Sequence, residues 1–349
     1  MAKRSSTSAR NPSYTLDVIA TGIALSLLAS TLGGVSSDRD FHEVLNGNSL
    51  HFRVRGQDAS KPYLLLLHGG PGFSSHMFYP WGSTLEQNLN VVYLDQRGCG
   101  ESASLKPNDF AAYTMPGLIA DIEAVRDYLK IKKWFVLGHS WGGMLGLEYV
   151  RANPKSVLGY IHVDGLLSQP MTQDGILDFA EGQIKKDEAA TDADTKARGA
   201  RLKPYIPYAR GLKPGLPKLL STNQFAMSYF QEMYYADPAA GMAYNTKIRE
   251  ALTATKTPLT VLGPKSEPTM ALEKTYGYSS KDLTSFLPDI KTRVLVINGK
   301  QDAIITPAQA AIVAKGIPNA KLVLLDKCGH FPFAEQPTDF TKLVLSFVK

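Results

Sequence analysis

After residue 40, short apolar runs alternate with stretches in which apolar residues recur at helical spacing. Phe41–Leu45 and Leu50–Val54 flank Asn46-Gly47-Asn48 and read as an opening hairpin, because Asn-Gly accepts the positive φ of a tight strand turn. Tyr63–Leu67 is apolar throughout, as a strand buried on both faces must be, and Val91–Leu94 repeats the pattern. Pro116–Leu129 places Leu118, Ile122, Val125 and Leu129 on one helical face. Trp134–Leu137 and Leu158–Val163 read as strands, with a helix over Met144–Arg151 between them. This alternation predicts a mostly parallel sheet with helices on both faces.

From Ser168 to Leu287 the rhythm stops. Gln173–Lys186 and Thr222–Tyr235 have helical patterns, whereas Lys203–Lys218, with Pro204, Pro207, Pro214 and Pro217, reads as an irregular connection. The rhythm then resumes with strands over Arg293–Asn298 and Lys321–Leu325 and helices over Pro307–Lys315 and Asp339–Val348. The expected layout is a core of 38–167 and 288–349, with a sheet of about eight strands, interrupted by a mostly helical cap over 168–287.

The N-terminus has its own pattern. Lys3, Arg4 and Arg10 precede the apolar stretch Val18–Leu32 and the small residues Gly33 to Ser37. The apolar part is short for a spanning helix, which needs about 20 residues. Residues 1–37 therefore read as a secretory signal, an anchor or a tail. The first two imply an exported or membrane-tethered protein, the third a cytoplasmic one.

Composition narrows the field. Hydrophobic residues make up 44% of the 349, which excludes a disordered chain. The formal net charge of +6 is mild, and no basic stripe interleaved with aromatics suggests nucleic acid. Two cysteines, Cys99 and Cys328, make no disulfide framework, and no Cys/His cluster has metal-ligand spacing, so neither metal nor cofactor is expected. Each cysteine either fills a tight corner or brings a thiol near a predicted catalytic loop.

The sharpest chemical signal is Gly138-His139-Ser140-Trp141-Gly142-Gly143, between a strand and a helix. A Gly-x-Ser-x-Gly turn in that setting lifts a nucleophilic serine out of the sheet at a helix N-terminus. His68-Gly69-Gly70-Pro71-Gly72 directly follows Tyr63–Leu67. A loop there supplies one oxyanion amide and the residue after the nucleophile the other, which points to Gly70 and Trp141. Of histidines 42, 51, 68, 76, 139, 162 and 330, only His330 follows the last strand, where the base belongs if the order is Ser, acid, His. Asp302 follows Arg293–Asn298 and is the favoured acid; Asp164, ending Leu158–Val163, is the competitor. Asp95 and Arg97 are expected to brace the loops through an ion pair and a tight turn.

Together the His68–Gly72 stretch, the Asp95–Ser102 stretch and the Gly-x-Ser-Trp-Gly-Gly elbow resemble the proline iminopeptidase (prolyl aminopeptidase) branch of the α/β-hydrolases. The resemblance covers about 45–165 and 290–349 well and the cap loosely. It implies an α/β-hydrolase sheet with a helical cap, release of an N-terminal residue, often proline, from short peptides, no metal, and a triad mapping onto Ser140, Asp302 and His330. His139 departs from the glycine expected at that place in many members, and histidine there is frequent in esterases of the same fold. In the resembled family cap glutamates bind the substrate's free ammonium, which makes Glu232 the candidate. Its neighbours Phe225, Tyr229, Phe230, Tyr234 and Tyr235 line a pocket for a proline ring or form the cap's own core. The alternatives are a carboxylesterase or lactonase of a small molecule, and a catalytically idle binding module. Epoxide hydrolases and dehalogenases use a carboxylate nucleophile and fit less well.

Overall fold

The computed structural model describes residues 39–56, 58, 60–104, 110–111 and 113–349. The expectation of a signal or anchor over 1–37 lies outside them. Among the described residues, no helix is long and apolar enough to cross a membrane.

The hairpin forms as its turn chemistry dictates. Strands β1 (Arg39–Leu45) and β2 (Asn48–Arg55) pair antiparallel, with Asn46 at φ 48° and Gly47 at φ 75° between them. They join β3 (Tyr63–Leu67), β4 (Asn90–Leu94), β5 (Trp134–His139), β6 (Val157–Val163), β7 (Val294–Gly299) and β8 (Ala320–Leu325). The eight-stranded sheet has the order β1-β2-β4-β3-β5-β6-β7-β8, and every pair from β4 to β8 is parallel. Period-two geometry divides the central strands between two cores. Leu65 and Leu67 join Val92, Leu94 and Val136 on one face, whereas Leu64 and Leu66 join Val91, Tyr93 and Leu137 on the other. This double burial explains why these strands are apolar throughout rather than alternating.

Helices α1 (Met115–Tyr128) and α2 (Trp141–Ala152) pack beside the sheet; the Thr114 side chain caps α1 by accepting from the Gly117 amide. Between β6 and β7 lie α3 (Gln169–Ala189), α4 (Ala193–Leu202), α5 (Tyr205–Gly211), α6 (Leu216–Ser228), α7 (Phe230–Tyr234), α8 (Pro238–Ala254) and α9 (Glu267–Tyr276). Helices α10 (Pro307–Gly316) and α11 (Pro337–Phe347) flank β8.

Two expectations for the inserted segment are corrected. Lys203–Lys218 is largely helical: Pro204 caps α5, Pro207 sits in its first turn and Pro217 in the first turn of α6, positions where a missing N–H costs nothing. The single helix expected over Thr222–Tyr235 is two, α6 and α7, broken at Tyr229 (φ −119°, ψ 32°).

Candidate active site

Ser140 occupies the turn between β5 and α2 at φ 56° and ψ −122°, a conformation L residues rarely adopt. The surroundings hold it there. Its amide donates to Val163 O at 3.2 Å, and its carbonyl accepts from Gly143 N at 2.8 Å and Leu166 N at 2.9 Å. The tightness of the turn explains its glycines. A Cβ on Gly138 would lie 2.2 Å from Gly142 O, and one on Gly142 would lie 2.1 Å from Leu67 O.

Asp302 and His330, distant in sequence, meet beyond the carboxyl ends of β7 and β8. His330 Nδ1 is 2.7 Å from Asp302 Oδ2, and the other carboxylate oxygen accepts from Ile304 N at 2.8 Å and Ile305 N at 3.0 Å. Both side chains are buried. Ser140 and His330 line the same cavity, of ≈ 190 Å³. Asp164, the competing acid, is fully buried beside them, with atoms of Asp164, Asp302 and His330 all within 4.8 Å of one another. Its Oδ1 accepts from Gly299 N at 2.8 Å, and no hydrogen bond runs from it to His330. Burial, then the charge of Asp302, push its pKa well above the ordinary carboxyl range, and it is Asp302 that faces the imidazole.

The loop carrying His330 is pinned from two sides. His330 N donates to Tyr234 O at 2.7 Å, which ties it to α7. Glu335 accepts from Gly329 N at 2.9 Å, Ala236 N at 2.7 Å and Asp237 N at 3.0 Å, bridging the same two segments. His139 adds a third tie. Burial pushes its pKa well below the ordinary value, so it is neutral, and Nε2–H donates to His330 O at 2.8 Å. A glycine at position 139 would lose this bond.

Gly69, Gly70 and Pro71 of the His68–Gly72 loop line the same cavity as His330. Gly70 has φ 123° and is followed by a cis bond to Pro71. Among the described residues, neither the Gly70 nor the Trp141 amide donates to an acceptor, and both residues line the cavity. Gln96 joins the two: its amide nitrogen donates to His68 O at 2.8 Å and its amide oxygen accepts from the Trp141 indole at 2.8 Å. Asp95 and Arg97 do not pair with each other as expected. Arg97 forms a fork with Asp121 at 2.6 Å for both bonds. Asp95 instead meets His51 Nδ1 at 2.9 Å and accepts from Ser75 N and Glu101 N, which fixes the backbone on either side of the loop. Burial opposes the His51 charge, but the Asp95 hydrogen bond and the charges of Asp95, Glu101 and Asp40 raise its pKa to about 9.

The inserted helices roof the cavity. Ile176, Leu219, Ala226, Phe230 and Tyr234 face Ser140 and His330, together with the polar Gln169, Thr172 and Asn223. Glu232 is elsewhere. Its Oε1 pairs with Arg198 Nη1 at 2.8 Å and it does not line the cavity; Arg198 in turn holds Asp187. The aromatic run divides: Phe230 and Tyr234 line the cavity, whereas Phe225 and Tyr229 are buried in the core of the insertion. Both thiols are buried; burial pushes Cys99 up to about 12 and Cys328 higher still. Two further groups place ligand-capable atoms within 4.8 Å of one another, Asp40/His42/His51 and His51/Asp95/Glu101, and in both His51 already holds Asp40 and Asp95.

Sequence reasoning passed over Gln96 and Gln169. The signal for Gln169 was legible: Gln169, Thr172, Ile176 and Ala180 recur at helical spacing, so polar residues occupy the first turn of a face that is otherwise apolar.

A family model described as the alpha/beta hydrolase fold matches residues 62–337. The proline iminopeptidase of Lactobacillus helveticus (strain DPC 4571) is 27% identical over 311 residues, covering 85% of this chain and 93% of that protein. That of Clostridioides difficile (strain 630) is 26% identical over 306 residues, covering 86% and 95%. Among solved structures, a proline iminopeptidase-related protein from Thermus thermophilus superposes with a TM-score of 0.68 at 21% identity, covering 89% of this chain and 97% of that one. An esterase from Rhodococcus sp. ECU1013 does so with a TM-score of 0.59 at 20% identity, covering 90% and 98%. These structures share the fold.

Proposed function

The chain belongs to the α/β-hydrolase fold family, and on that premise we propose that it is a serine hydrolase that cleaves a small ester or amide through an acyl-enzyme on Ser140. The observation that carries the reading is the Asp302–His330 hydrogen bond of 2.7 Å, with His330 lining the same cavity as Ser140. Ser140 Oγ attacks the substrate carbonyl while His330 Nε2 takes its proton. The new bond is Oγ to carbonyl carbon. The carbon–leaving-group bond breaks as His330 returns the proton to the departing oxygen or nitrogen. Water, deprotonated by His330, then cleaves the acyl-serine bond and restores Ser140. Asp302 holds the imidazole tautomer with Nδ1 protonated. The amides of Gly70 and Trp141 serve as oxyanion donors, with the α2 N-terminus behind them. Residues 168–287 act as a cap that excludes water and selects the substrate.

The names of the relatives support a second reading, release of an N-terminal residue of the proline type from short peptides. The lining of the site favours a neutral substrate instead. Among the described residues, no carboxylate lines the cavity, and Glu232 is neutralised by Arg198. The adjoining cavity of ≈ 270 Å³, which shares Phe73, Met77, Phe230 and Phe331, has Arg249 as its charged lining residue. A bound ammonium would find no counter-charge in either.

Turnover of a fluorogenic proline amide, its N-acetyl derivative and a short-chain nitrophenyl ester, with Ser140→Ala as control, tests both readings. The expected result is ester turnover lost in the mutant and no requirement for a free amine. Amide turnover abolished by N-acetylation establishes the aminopeptidase instead.

A further inference from the structure

Two polar side chains buried in the roof of the cavity, Gln169 and Thr172, keep hydrogen-bonding capacity that no described protein group uses. Gln169 is 4% exposed, lines the cavity, and its Oε1 has no hydrogen-bond partner. The other end of this amide faces the Tyr278 hydroxyl; burial pushes that phenol's pKa up and the Gln169 contact works against the rise. The backbone fixes the side chain's origin, since Gln169 N donates to Lys281 O at 2.9 Å in the first turn of α3. An amide oxygen buried without a donor is costly, and such a group beside a substrate cavity points to a ligand donor.

Thr172 lies three residues on, a spacing that brings side chains side by side on a helix. It is 6% exposed and lines the same cavity. Its Oγ1 accepts from Gln309 Nε2 at 2.9 Å, and Gln309 is itself fixed by accepting from the Leu167 and Ser168 amides. With that lone pair used, the hydroxyl proton of Thr172 has no acceptor among the described residues. One turn of α3 thus presents a free acceptor next to a free donor, in a roof without charge.

We infer that Gln169 Oε1 and the Thr172 hydroxyl bind a neutral amide group in the acyl portion of the substrate. The acceptor takes the amide N–H and the hydroxyl donates to the amide C=O. The substrate class is an N-acylated aminoacyl ester or amide, in which the nitrogen next to the scissile carbonyl carries an acyl group rather than a charge. A site built around such a pair rejects an isostere lacking the amide more strongly than an apolar wall would. This inference rests on the serine-hydrolase reading above.

The test compares 4-nitrophenyl N-acetylglycinate with 4-nitrophenyl pentanoate, whose acyl chains are of equal length, each rate divided by that ester's hydroxide-catalysed rate. The full chain is expected to favour the N-acetylglycyl ester by about tenfold or more in kcat/KM. In Gln169→Leu that preference falls about tenfold, and in Thr172→Val by a smaller factor. A wild-type ratio near one overturns the inference, as does an equal loss on both esters in the two variants. If the wild type cleaves pentanoate with a ratio near one, only the inference fails. If it cleaves neither ester, or Ser140→Ala cleaves both as well, the serine-hydrolase reading fails with it.

Discussion

The floor and the roof of the cavity are built on opposite principles. In the floor, polar groups are fixed before substrate arrives: Asp302 holds His330, Gln96 joins the His68 loop to Trp141, and Asp95 gathers His51 and two backbone amides. The roof has mostly apolar walls, and two of its polar side chains, Gln169 and Thr172, keep an acceptor and a donor free. Preorganised groups suit chemistry, because they cost no reorganisation as charge develops. Unsatisfied groups suit recognition, because the partner completes them.

The largest expected effect belongs to the floor. Ser140→Ala is expected to lower kcat/KM on an activated ester by roughly 10⁴-fold or more, with unchanged far-ultraviolet circular dichroism. Asp302→Asn should cost about 10³- to 10⁴-fold by misplacing the imidazole tautomer, whereas Asp164→Asn, which keeps an acceptor for Gly299 N, should cost less than about tenfold. Equal losses in the two would make the pair the working acid and shift the floor's chemistry toward β6. Beneath the floor, Arg97→Leu leaves Asp121 buried without its fork, and urea unfolding should register a loss of about 3–5 kcal/mol.

A pH series separates brace from chemistry. The folded-state pKa of His51 is raised from 6.5 to about 9, so its stabilisation is complete below pH 6.5 and disappears as pH rises through 9. The pKa of Asp95 is lowered, against its burial, by the His51 hydrogen bond and the neighbouring histidines, so its share is lost on the acid side. His51→Gln should therefore destabilise the protein most near pH 5–6.5, and the gap to wild type should shrink by about 3 kcal/mol by pH 10, read from urea midpoints. The smallest effect is expected from the roof's periphery. Glu232→Gln should change kcat/KM by less than about twofold, because its carboxylate serves Arg198 at the surface. A large loss confined to substrates with a free amine would restore Glu232 as an ammonium ligand and with it the aminopeptidase reading.

The floor was legible in the sequence because its logic is local. Tyr63–Leu67 is a strand in both readings because burial on two faces leaves no polar position to misplace it. Gly138 and Gly142 announce a turn that no side chain fits. Strand ends fix where loops emerge, so Ser140 was singled out from its elbow, His330 from its place after the last strand, and Asp302, with Asp164 as competitor, from its place at a strand end. Partners were less legible than positions. Arg97 reaches Asp121, on α1, rather than Asp95. The roof was least legible, since helices packed on helices leave no strand to anchor a register. The prolines of Lys203–Lys218 were read as breakers although they start helices. Glu232 was the candidate because cap glutamates bind the ammonium in the resembled family, and only three dimensions set Arg198 beside it.

The most direct test of the central claim is covalent labelling of the intact protein with a fluorophosphonate, read by intact mass and peptide mapping. One adduct per chain on Ser140, absent in Ser140→Ala and slowed in Asp302→Asn, is the expected result. No adduct, or one on another residue while Ser140 stays free, would contradict the assignment of Ser140 as nucleophile.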